Sequence, residues 1–211
     1  WKNALPHLEA LFLAGCNLYR HDHFTPLVAP NVVTLDVTYN HLTNLELFAD
    51  FKCLQELYAD YNDLNESCLG QNIMGTLKSL SMAHNVIRKI PHHIAKQLEF
   101  LDLSSNPVSA INFDHTHFPV LKKLHIANII HIHESQDAHL FPKNISSLIT
   151  LESLDISKNY ISDVNWLSPL SNLKVLKCAD NPHGPDLSAL KALNNLTDLD
   201  VSGNHITALD G

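Results

Sequence analysis

Residues 151–161 read Leu-Glu-Ser-Leu-Asp-Ile-Ser-Lys-Asn-Tyr-Ile, and this phrase decides the fold. Leu154 and Ile156 are apolar and are separated by one polar residue, the period-two alternation of a strand with one buried face. Asn159 comes three residues after Ile156, where the chain has to leave the strand. In abstract the phrase is L-x-x-L-x-L-x-x-N-x-L, with Ile at its third and last apolar places.

The phrase recurs along the whole chain. Its copies run Leu8, Leu11, Leu13, Cys16, Leu18; then Val32, Leu35, Val37, Asn40, Leu42; then Leu54, Leu57, Ala59, Asn62, Leu64. Next come Leu77, Leu80, Met82, Asn85, Ile87, and Leu98, Leu101, Leu103, Asn106, Val108. The sixth copy keeps Leu121, Leu124 and Ile126 but has Ile129 where Asn belongs. After the opening stretch follow Leu173, Leu176, Cys178, Asn181, His183 and finally Leu196, Leu199, Val201, Asn204, Ile206. First places are 24, 22, 23, 21, 23, 30, 22 and 23 residues apart, counted along the chain. One match would be weak, because Leu is common; nine in series are a strong signal of a stacked-repeat architecture.

The pattern resembles the leucine-rich-repeat family over roughly residues 5 to 209. The resemblance implies an α/β solenoid: a right-handed leucine-rich-repeat superhelix with a parallel concave β-sheet and an irregular or short-helical convex side. The physics agrees, since a short strand cannot bury its apolar face alone and each repeat must stack on the next. The expected structural ladder is Cys16, Asn40, Asn62, Asn85, Asn106, Asn159, Asn181 and Asn204. Each Asn can satisfy backbone groups of its own turn and of the neighbouring repeat. Cys16 is a known family variant at that place, and Cys16 and Cys178 are both expected to be buried thiols. Between Asn159 and Leu173, the residues Ile161, Val164, Trp166, Leu167, Pro169 and Leu170 are similar to the short 22-residue class of internalins and of intracellular phosphatase-regulating repeat proteins. The first half is looser: Leu47, Phe48 and Phe51 precede Leu54, and the Ile90-Pro91 step is similar to another bacterial class.

The chain has 211 residues, is 45% hydrophobic and 17% charged, and reads as a single array over residues 1–211 with an extended repeat at 121–150. The first residues are neither an initiator Met nor a signal peptide, and neither end carries a convincing polar cap, so the expectation is a fragment of a longer protein. In the extended repeat, residues 129–145 should bulge outward, with Phe141 and Ile145 returning to the core. No apolar run is long enough to span a membrane. Net charge is −8 with only 14 Lys plus Arg, so the basic stripe needed for phosphate contacts is missing and no nucleic-acid partner is expected. Of the four cysteines Cys16, Cys53, Cys68 and Cys178, none forms the paired caps of extracellular receptors, which leans toward a reducing compartment. The sequons at Asn65, Asn144 and Asn195 arise often by chance and carry little weight.

No catalytic motif is present: there is no Gly-x-Ser-x-Gly, P-loop or dinucleotide fingerprint, and no cofactor is expected. Two histidine pairs, His115 with His117 and His131 with His133, have the alternate spacing that could hold a metal, with Asp114, Glu134, Asp137 and His139 nearby. Solvated turn residues are the stronger reading, and no metal is assigned. Asp102, Asp155 and Asp200 belong to the stock phrase L-D-x-S and read as solvated strand positions.

The informative residues lie between the two inner Leu places and point out of the concave sheet: Phe12, Asp36, Tyr58, Ser81, Asp102, His125, Asp155, Lys177 and Asp200. The N-terminal strands are aromatic, with Tyr39 and Tyr61 flanking Phe12 and Tyr58. Since aromatic residues dominate binding hot spots, the expected partner site is Phe12, Asp36, Tyr39, Tyr58, Asp60 and Tyr61. Against this stands the strand preference of Tyr itself. The expected function is protein–protein interaction without catalysis, as an adaptor or a bacterial surface or effector protein, intracellular or secreted. The alternatives are an extracellular pattern-recognition ectodomain and the targeting half of a larger enzyme.

Overall fold

Each phrase becomes one short strand. They are β1 (Ala10–Phe12), β2 (Thr34–Asp36), β3 (Glu56–Tyr58), β4 (Ser79–Ser81), β5 (Phe100–Asp102), β6 (Lys123–His125), β7 (Ser153–Asp155), β8 (Val175–Lys177) and β9 (Asp198–Asp200). The structure, a computed structural model, describes residues 5–19, 29–45, 48, 51–68, 75–89, 96–108, 113–129, 141–181 and 187–206. Among these, the nine strands form one parallel sheet in chain order, β1 to β9. The middle Leu of every strand pairs with that of the next, from Leu11 and Leu35 to Leu176 and Leu199. This register puts one continuous leucine line inside the coil, and Leu35, Leu57, Leu124 and Leu154 are completely buried.

Strands stay three residues long because the turn that follows has a fixed geometry. The residue before each ladder place adopts a left-handed backbone: Gly15, Tyr39, Tyr61, His84, Ser105, Asn128, Lys158, Asp180 and Gly203 all have φ between 53° and 66°. Its N–H donates to a carbonyl of the next repeat, as Tyr39 N does to Asp60 O at 3.0 Å and His84 N to Ser104 O at 2.9 Å. Two of these places are glycine, and at Gly203 a Cβ would also collide with the Asp180 carboxylate.

The asparagines then close the turns. The Asn106 carbonyl oxygen accepts from Ile87 N–H at 2.9 Å, while its amide donates to Met82 O at 2.8 Å and Leu103 O at 3.0 Å. Asn40, Asn62 and Asn85 repeat this pattern on Leu18, Leu42 and Leu64. Ile129 cannot, so Val108 N–H turns to Asn106 O at 2.8 Å instead. Asn159 resumes the series by accepting from Ile129 N–H. A second polar column runs on the opposite side of the strands, where Asn31, Thr76, Thr150, Asn172 and Asn195 each donate to a carbonyl of the preceding repeat.

The convex side is built from short 3-10 helices at Glu66–Cys68, Lys143–Ser147, Asn165–Leu167 and Leu187–Ala192. The apolar residues of the returns are buried, including Phe48, Phe51, Val164, Leu167 and Leu170. Phe141 and Ile145 are buried too, and the Phe141 ring lies 5.5 Å from that of Trp166. The proposed tip of the extended repeat, with His131 and His133, and Leu47 and the Ile90-Pro91 step fall outside the described residues.

One expectation about the thiols is corrected. Cys178 is buried, but Cys16 is exposed. The described residues give it no preceding strand to lie under, and its thiol reaches only Ala14 O, at 3.7 Å. Burial pushes the thiols of Cys68 and Cys178 up to about 12.

Candidate recognition surface

The outward residue of each strand forms a row across the concave sheet. Phe12 pairs with Asp36 and Asp36 with Tyr58, so these three are lateral neighbours. Phe12 is 67% exposed, whereas Tyr58 is half-buried. Beside this row stands a column of rings set by the left-handed turns. Tyr39 stacks on Tyr61 with centroids 4.4 Å apart, and Tyr61 on His84 at 4.1 Å, both pairs nearly parallel. Tyr39 is 62% exposed and Tyr61 41%. Bulky side chains at φ near 53° are uncommon, because Cβ crowds the backbone there. Sequence reasoning missed His84; its signal is its place directly before Asn85, equivalent to Tyr39 before Asn40 and Tyr61 before Asn62.

The two carboxylates of the expected site are partly engaged. One oxygen of Asp36 accepts from the N–H and hydroxyl of Thr38, at 2.9 and 2.8 Å. One oxygen of Asp60 accepts from Ser81 Oγ and Ala83 N–H, both at 2.7 Å. Burial raises the Asp60 carboxyl above its usual range despite these donors.

The aspartates of the L-D-x-S phrase are not merely solvated, as the sequence suggested. Asp102, Asp155 and Asp200 each accept from the N–H two residues on, at Ser104, Ser157 and Ser202. A short acidic side chain closes its own turn this way, a known alternative use of Asp. Asp36 shares the arrangement, so it has a structural task beside any binding one. Asp102 also meets His125 Nδ1 at 3.3 Å, and Phe100 packs edge-on to that imidazole. Burial would raise the Asp102 carboxyl, but the hydrogen bonds from His125 and Ser104 outweigh it and hold it below the usual carboxylate range. The sign follows: a carboxyl with a lowered folded value adds stability above its unfolded value and loses it as pH falls through the folded one. Asp102→Asn is therefore expected to be less stable than the parent at neutral pH, with the difference shrinking as pH drops below about 4. Urea melts of both proteins across that range check it.

The residues just before the strands form an alternating charge row, Lys78, Glu99, Lys122, Glu152 and Lys174. Lys122 Nζ meets Glu99 at 2.7 Å and Lys174 Nζ meets Glu152 at 2.7 Å. Each glutamate of the row is thus matched by a lysine of the next repeat. His117 Nδ1 lies 2.7 Å from Asp114 in a turn. Among the described residues no group of three His, Cys, Asp or Glu could hold a metal ion, and no helix is long and apolar enough to cross a membrane.

The Leucine Rich repeat family model matches residues 192–210. Toll-like receptor 9 of Mus musculus is 34% identical over 156 residues, which is 64% of this chain and 14% of the receptor. A leucine-rich-repeat protein of Leptospira interrogans superposes with TM-score 0.71 at 25% identity, over 85% of this chain and 45% of that one. The TLR13–ssRNA13 complex superposes with TM-score 0.60 at 25% identity, over 87% of this chain and 25% of that one. The chain spans between 10% and 21% of the length of the curated relatives it matches.

Proposed function

We propose that this leucine-rich-repeat array is a protein-recognition module whose partner docks on the N-terminal half of the concave sheet. The observation that carries the reading is the exposed aromatic set Phe12, Tyr39 and Tyr61, with half-buried Tyr58 in the same row as Phe12. Large stiff rings give contact area at low entropic cost, and they cluster where interface energy concentrates. The C-terminal concave row offers Asp155, Lys177 and Asp200, two of which close their own turns. The chain's net charge of −8 favours a basic partner. The reading takes residues 1–211 as one array, with the repeat at 121–150 extended.

The array serves an adaptor or a surface protein. A bacterial origin has its support in the fold likeness to the Leptospira protein, whereas the curated sequence likenesses include animal receptors. A second reading, the ectodomain of a pattern-recognition receptor, is favoured by the likeness to Toll-like receptor 9. A single-stranded RNA partner, as in the TLR13 complex, fits poorly with 14 Lys plus Arg against 22 Asp plus Glu.

The test begins with affinity capture of a partner by the chain, followed by binding of three variants. Tyr58→Ala and Tyr61→Asn are expected to weaken the captured partner by about 2 kcal/mol or more at a true anchor. Lys177→Ala should bind like the parent. Asn replaces Tyr61 because it tolerates the left-handed backbone. Equal affinity for all three variants would remove the N-terminal site.

A further inference from the structure

The ring column Tyr39–Tyr61–His84 is three repeats long and stops abruptly. The equivalent place in the first repeat is Gly15, which makes the same hydrogen bond to its neighbour, from its N–H to Thr38 O at 2.9 Å. Its backbone is left-handed like theirs, with φ 65°. A Cβ placed on Gly15 would meet nothing within 4 Å. Among the described residues the column therefore ends in a gap one repeat wide beside the exposed Tyr39 ring. The inner spacings of 4.4 and 4.1 Å are those of stacked planar groups.

We infer that the gap over Gly15 is a socket for the guanidinium of an arginine carried by a basic segment of the partner protein, stacked on the open face of Tyr39. This deepens the proposed concave recognition site and rests on that reading. Three observations select the occupant. The socket is flat and bounded by a π face, which a planar group fills better than a tetrahedral ammonium. An acidic side chain stands beside it: Asp36 pairs across the sheet with Phe12, and its carboxylate holds Thr38, whose carbonyl accepts the Gly15 N–H. The chain as a whole carries −8. A neutral aromatic ring would use the face but not the charge, and lysine would use the charge but not the plane.

The test uses the 211-residue chain and three short unstructured peptides that differ only at three positions, occupied by arginine, lysine or citrulline. Binding is followed by titration of the Tyr39 and Tyr61 ring resonances at low ionic strength. The arginine peptide is expected to bind roughly three- to thirty-fold tighter than either of the others, with the largest shifts at Tyr39. Gly15→His should abolish this preference, since His is tolerated at positive φ and its ring would fill the socket as His84 covers Tyr61. Tyr39→Asn should abolish it by removing the face, and it keeps the question open to an answer if the first variant folds poorly. Equal binding of the arginine and lysine peptides overturns the inference, as does a preference that survives either folded variant. A single-stranded RNA oligonucleotide that shifts the Tyr39 resonances at lower concentration than the arginine peptide overturns it in favour of base stacking. If the peptides fail while Tyr58→Ala still weakens the captured partner, the socket is wrong and the recognition face stands. If Tyr58→Ala and Tyr61→Asn are also without effect on that partner, the recognition face is wrong as well.

Discussion

Leu124→Ala is expected to destabilise the chain by about 2–5 kcal/mol. Leu124 is the inward residue of β6, in the middle of the sheet, and is completely buried. Its truncation leaves a cavity walled by Leu101 and Leu154 of the adjoining strands, which are pinned in register on both sides and cannot collapse into the space. Leu199 holds the same place in β9 but is 45% exposed, so Leu199→Ala should cost clearly less. Chemical denaturation of the two variants beside the parent measures the contrast. Equal losses would mean that burial does not govern the cost of truncation along the array.

Asn106→Ala is the second large effect, at about 1–3 kcal/mol. Asn106 is fully buried and serves Ile87 N–H, Met82 O and Leu103 O, with a longer bond of 3.3 Å to the part-buried Ser104 O. Removing the amide leaves a buried donor and two acceptors in a space too apolar to rehydrate. The burden is larger because the next ladder place is Ile129, which offers Val108 and Leu103 no replacement. Asn204 makes similar bonds to Cys178 O and Val201 O but is only half-buried, so water can take over and Asn204→Ala should cost less. Similar small losses at both positions would contradict a continuous buried ladder.

The fold was legible because its information is periodic. The spacing of Leu and Asn fixes which residues face inward, and the observed register places the middle leucines of neighbouring strands side by side. The row Phe12, Asp36 and Tyr58 followed from the same arithmetic. The ring column was only half visible. Tyr39 and Tyr61 stand out as aromatic, whereas His84 joins them through a left-handed turn that no hydrophobic pattern announces. The turn-closing task of the L-D-x-S aspartates was missed for a related reason: it depends on the direction of a backbone N–H, not on polarity. The alternating row of Lys78, Glu99, Lys122, Glu152 and Lys174 is likewise hidden, because its members come from five separate repeats and meet only once the strands align. Cys16 kept its place in the pattern but lost its burial, since the pattern records the repeat and not what lies over it.

The central claim, that a protein partner covers the N-terminal concave face, is tested most directly by oxidative footprinting of side chains with and without the captured partner. Phe12, Tyr39 and Tyr61 are exposed in the free chain and should oxidise readily. Bound partner is expected to protect these three, and Tyr58 in the row of Phe12, while Tyr160 and Trp166, in the repeat that carries β7, keep their free reactivity. Protection centred on Tyr160 and Trp166, with Phe12 and Tyr39 still reactive, would contradict the account.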